Sequence, residues 1–185
     1  RELVQSPFNN IELVALCDIR RENVELAATE VEELLGSKPA TFTDVGAMAK
    51  AIPDLEMVDV VTDPSVHHTV VCQALDLGLH VLVEKPLAIT VKACHLMMEA
   101  AKRNDRLLSV AENYRRDPSA RLIRHLIDKG VIGTPYMGML HSVRPGRDIF
   151  ITPWRHLIDK GGPLIDMGVH FTDLIRYQLG DIKEV

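Results

Sequence analysis

With 185 residues, 46% of them hydrophobic, and 26 acidic against 21 basic side chains, the chain can bury a core and carries a net charge of −5. Its charges are interspersed, so no basic stripe marks a nucleic-acid groove, and aromatics at 4% are too few for base-stacking platforms. No apolar stretch approaches the roughly 20 residues that span a bilayer, so no membrane role is expected. Cys17, Cys72 and Cys94 are far apart and set in apolar sequence. They read as buried thiols of a reducing, cytoplasmic compartment, neither a disulfide frame nor a metal site.

The first aliphatic run, residues 11–17, reads as a strand ending at Asp18, and residues 22–35 follow with a helical apolar stripe that Gly36 stops. Residues 41–43 form a short strand candidate, with a brief helix through Ile52. A buried strand is predicted at 57–61, then a helix capped near Ser65 and running to Leu77, where Gly78 closes it. Residues 80–83 are the next strand. Thr90 caps a helix reaching about Arg103, and 107–111 is a further strand. Asp117-Pro118, a cap followed by proline at the first helical position, opens a helix that ends at Gly130. Residues 136–143 read as a longer strand and 164–179 as a final helix before Gly180. The strand–helix rhythm implies an α/β fold with a doubly wound parallel sheet. It ends near 113–117, which sets expected domains at 1–115 and 116–185.

Three places could carry chemistry. Asp18 lies at the carboxyl end of a strand, where a dinucleotide fold uses a carboxylate to accept hydrogen bonds from ribose hydroxyls. It could equally just cap the next helix. Arg20 and Arg21 could face a 2′-phosphate, which a carboxylate at 18 would repel, so NAD is expected over NADP. Lys85, in Glu84-Lys85-Pro86, stands at a strand terminus, where ligands of open α/β sheets bind. There its ammonium could hold a substrate hydroxyl and stabilise alkoxide charge; an isolated surface lysine is the plainer alternative. Asp166, His170, Asp173 and Tyr177 share one helical face behind Gly161-Gly162, with Leu164, Met167, Phe171, Leu174 and Gln178 on a broad apolar side. Histidine titrates near neutrality and can accept a proton, and a neighbouring carboxylate can orient it. No His-Glu-x-x-His or paired-cysteine pattern suggests a metal. His67-His68 falls near a helix start.

With Asp18, Glu84-Lys85-Pro86 and the segment from Gly161 to His170 in that order, the chain resembles the Gfo/Idh/MocA oxidoreductases. Val60-Val61-Thr62-Asp63-Pro64 with His68 looks like the family's strand, Thr-Pro loop and later histidine. Asn113-Tyr114-Arg115 is similar to its junction into the second domain, and Trp154-Arg155 to the segment before its Gly-Gly helix. The resemblance implies a Rossmann-like domain, its first strand and glycine loop lying upstream of Arg1, followed by the start of an α+β substrate and oligomerisation domain. It implies NAD(P)-dependent hydride transfer on a hydroxyl-bearing carbon of a sugar, cyclitol or other polyol, in a homo-oligomer. Lys85, Asp166 and His170 would be catalytic. Asp18, Arg20, Asp63, Pro64, His68, Glu84, Lys85 and Asn113 would face the cofactor, and Lys85, Arg115, Trp154, Arg155, Asp166 and His170 the substrate. A cofactor-binding regulator or scaffold of the same fold, or an epimerase or glycoside-cleaving relative that uses redox transiently, is the alternative. Asp63 stands where the family usually has threonine.

Overall fold

A computed structural model describes residues 10–143, 155 and 157–185. Two compact units divide the chain, one ending at Glu56 and the other running Met57–Val185.

The first unit contains β1 (Ala15–Cys17), α1 (Arg21–Leu35), β2 (Ala40–Phe42) and α2 (Val45–Ala51). β1 and β2 pair in parallel, Ala15 opposite Ala40 and Cys17 opposite Phe42, and α1 makes the crossover that parallel strands require. Gly36 ends α1 with a φ of 77°, a left-handed conformation that lets its N–H reach the Glu32 carbonyl. At the start of α2 the Asp44 carboxylate accepts the Ala47 N–H. Val24, Ala28 and Met48 are buried.

In the second unit β3 (Met57–Val60), β4 (His80–Val83) and β5 (Leu108–Val110) form a parallel sheet in that order. Val60, Val83 and Val110 sit in register, so the chain leaves all three strands at one end of the sheet. α3 (His67–Asp76) and α4 (Val91–Asn104) make the crossovers, and Val71, Leu75, Val83 and Met97 form the fully buried centre. Thr90 caps α4 through its side chain, as expected. A 3-10 turn (Tyr114–Arg116) leads to α5 (Pro118–Asp128), capped by Asp117. A second 3-10 turn (Ile158–Lys160) precedes α6 (Gly162–Leu179), against which α5 packs.

The Rossmann-like α/β arrangement of parallel strands and helices is therefore present. Two local expectations are corrected, while α3 does begin beside Ser65: Val66 is its N-cap position, with no side-chain cap. The Ser65 hydroxyl and amide are instead turned to the Asp63 carboxylate. Residues 136–143 form no strand, because no described strand pairs with them; Tyr136, Met137 and Met139 are exposed. Cys17 ends β1 exposed, and Cys72 and Cys94 are half-buried, so the thiols are free but not buried. On α6, Asp166 and His170 are buried, while Leu164 is 80% exposed.

Candidate active site

The carboxyl ends of β4 and β5 build one side of the site. Glu84 N–H donates to Val60 O at 2.9 Å and Ala111 N–H to Val83 O at 2.8 Å, so the sheet's hydrogen bonding runs one residue past each strand. Lys85 and Glu112 follow directly, two residues beyond aligned valines. The Glu84 carboxylate accepts the Lys85 N–H at 2.9 Å, and the Lys85–Pro86 peptide is cis. His67, at the first position of α3, is fully buried; its Nδ1 lies 3.0 Å from Pro86 O and its Nε2 3.1 Å from Thr62 O. It stitches the β3–α3 loop to the turn that carries Lys85.

α6 builds the other side. Lys85 Nζ donates to Asp166 Oδ1 at 2.7 Å and to Asp166 O at 2.8 Å. Arg155 Nε lies 3.4 Å from Asp166 Oδ2, so each oxygen of that carboxylate faces a cation. Both members of the lysine–aspartate pair are withdrawn from water, their side chains 13% and 3% exposed. One turn later His170 Nδ1 lies 2.6 Å from Glu112 Oε1, which also accepts the Tyr114 N–H at 3.0 Å. The Tyr114 ring stacks on the imidazole, centroids 3.9 Å apart and 8° from coplanar. A turn further on, Arg115 forms a two-pronged ion pair with Asp173, Nε to Oδ2 at 2.7 Å, and its guanidinium lies over Tyr177. The hydrogen bonds to Asp173 push Arg115 above its ordinary value, outweighing partial burial, which pulls it down.

Asp166 and His170, the two buried members of the polar face read from the spacing, meet the segments that follow β4 and β5. Lys85, Arg155, Asp166 and His170 come together there; Arg115 stands at the exposed margin. Asp63 and buried Pro64 lie in the β3–α3 loop, where Lys160 Nζ reaches Ser65 Oγ at 2.7 Å and Asp63 Oδ2 at 3.3 Å. His68 is half-buried, with Thr69 Oγ1 3.4 Å from its Nε2, and Asn113 is exposed. Trp154 lies outside the described residues. Asp18 and Arg20 belong to the first unit, where Asp18 Oδ1 accepts the Arg20 N–H at 2.7 Å. Sequence reasoning missed Glu112 and Tyr114: neither has a helical or strand spacing to His170. It also singled out His68 where the buried neighbour is His67. Among the described residues no group of three or more His, Cys, Asp or Glu side chains could hold a metal ion.

Residues 2–112 match the family described as "Oxidoreductase family, NAD-binding Rossmann fold", and residues 120–185 match the GFO/IDH/MocA C-terminal domain. The chain belongs to the GFO/IDH/MocA family. Over 180 residues it is 31% identical to D-apiose dehydrogenase of Paraburkholderia graminis, covering 96% of this chain and 46% of that protein. Over 177 residues it is 30% identical to D-glucoside 3-dehydrogenase of Escherichia coli, covering 93% and 48%. The solved structure of a levoglucosan dehydrogenase in complex with NADH superposes with a TM-score of 0.69 at 25% identity, over 91% of this chain and 45% of that one. This GFO/IDH/MocA chain spans about half the length of the curated relatives it matches.

Proposed function

We propose that the protein oxidises a hydroxyl-bearing carbon of a sugar, cyclitol or other polyol, with Lys85 and His170 as its proton-handling pair. The observation that carries this reading is the meeting of the Lys85 ammonium with α6, one turn from a buried imidazole. Two Lys85 donors are committed to Asp166, which leaves the third N–H for a substrate oxygen. Held so, it stabilises the negative charge that grows on that oxygen. His170 accepts the hydroxyl proton, and Asp166 fixes the lysine rather than the substrate. A nicotinamide cofactor, when bound, supplies the hydride acceptor.

Asp18 fits that cofactor: it is a carboxylate at the end of a parallel strand, the acceptor that ribose hydroxyls need, and it favours NAD over NADP. We propose 1–115 as the cofactor part and 116–185 as belonging to the substrate part, with Arg115 and Arg155 at the substrate. A homo-oligomer in a reducing, cytoplasmic compartment remains the expectation from the resemblance and the free thiols.

The test is turnover of a panel of free sugars, glycosides and cyclitols by the intact protein with NAD, followed at the NADH absorbance. Lys85→Met and His170→Asn should each lower kcat by about 100-fold or more, the scale of a lost general base or charge stabiliser, while weakening NAD binding less than Asp18→Ala does. Wild-type-like turnover in both variants would remove the mechanism. No turnover of any polyol, with NAD still bound, would favour the non-catalytic scaffold.

A further inference from the structure

We propose that Glu112 is the positioning residue of His170, fixing Nε2 as the atom that takes the proton. This rests on the reading of His170 as the base. Glu112 arrives from beyond β5 and His170 from the third turn of α6, 58 residues apart in sequence. Their side chains are 9% and 5% exposed, so the contact is made out of water.

A carboxylate oxygen 2.6 Å from Nδ1 can only accept, so Nδ1 carries the hydrogen and the Nε2 lone pair is left for a substrate hydroxyl. The carboxylate cannot swing away. Its Oε1 is also gripped by the Tyr114 N–H, and the Tyr114 ring covers one face of the imidazole. Rotating the ring would break the Nδ1 contact and the stack together. When Nε2 takes the hydroxyl proton, the imidazolium forms beside an anion already in place, which lowers the cost of creating charge in a dry site.

A second observation argues against a merely structural glutamate. Glu112 Oε2 is buried and has no hydrogen-bond partner among the described residues. Leaving a polar atom so placed forfeits its hydration with nothing in return. A residue kept only for stability would gain from being something else; a residue kept for the charge on Oε1 would not.

Two readouts separate positioning from scaffolding, both on the intact protein. The first is the side-chain nitrogen spectrum of His170, identified by its loss in His170→Asn. The wild type should show the hydrogen on Nδ1, and Glu112→Ala should move it to Nε2. The second is the kinetic split. Glu112→Gln keeps the shape and removes the charge, and should lower kcat about 10- to 100-fold with the substrate KM and NAD affinity within about twofold. Glu112→Asp should recover part of the loss.

A wild-type His170 already protonated at Nε2 overturns the proposal without any variant. So does a Glu112→Gln effect confined to KM. Full turnover in His170→Asn instead sinks the base assignment itself, whatever the spectrum shows.

Discussion

Asp166 has the environment of a buried counter-ion. Lys85 bonds one carboxylate oxygen and the main-chain carbonyl, and Arg155 lies 3.4 Å from the other oxygen. Asp173, two turns on, has equally close contact with Arg115, yet that arginine's side chain is 45% exposed. Burial decides what each pair contributes. Removing one partner of a dry pair strands the other, at about 3–5 kcal/mol, whereas a wet pair is worth about 1 kcal/mol or less. Asp166→Ala should therefore shift the chemical-denaturation midpoint several times further than Asp173→Ala; equal shifts would contradict it. The same contrast shows how far residues could be read in advance. Asp166 and His170 were legible because four positions make one helical turn, and Lys85 because a strand's end faces the ligand crevice. Glu112 was not. It joins His170 through sheet topology, and topology leaves no local spacing. That His67 and not His68 is the buried one was not legible either: adjacent positions at a helix start diverge sharply in burial, and only the path of the preceding loop settles which one turns inward.

At the scale of elements, α6 is aimed by what precedes it. Gly161 and Gly162 take φ values of 97° and 62°, and a Cβ at Gly161 would stand 3.0 Å from Ile165 Cβ, so glycine is needed for this entry. Just upstream, Lys160 bridges to Ser65 and Asp63. Burial pushes the Asp63 carboxyl up, but hydrogen bonds from the Ser65 hydroxyl and amide, and then the Lys160 ammonium, outweigh it and hold it below the usual carboxylate range. A depressed carboxyl stabilises the fold fully above its unfolded value, near 3.9, and loses that contribution as pH falls through the lower folded one. Lys160→Met should thus cost about 0.5–1 kcal/mol at neutral pH. The gap between variant and wild type should close by about pH 2, as the carboxylate is neutralised. Urea midpoints at both pH values measure it, and a gap that persists in acid would mean the lysine acts through packing alone. The aspartate that breaks the family's threonine pattern thereby has a physical partner, which no motif could have supplied. Residues 136–143 failed as a strand for the complementary reason: alternation describes a face, but a ladder needs a neighbour. Gly138 does serve a close approach, since a Cβ there would meet Leu179 Cδ1 at 2.6 Å.

For the whole molecule, the alternation of short aliphatic strands with capped helices was legible almost element by element. Parallel strands must be joined by crossovers, and caps and glycines mark where each helix starts and stops. Exposure was less so. The cysteines sit in apolar sequence, but a three-residue strand such as β1 ends before it can cover its last side chain. That leaves Cys17 open to solvent and next to Asp18 in the chain. Burial of part of the thiol, then the carboxylates of Asp44 and Asp18, push its ionisation up, so alkylation should quicken only as the medium turns alkaline. A fluorophore attached at that sulfur would become a lookout on Asp18: its brightness should change on titration with NAD if that carboxylate grips a ribose, as proposed, and stay flat if the nucleotide settles elsewhere.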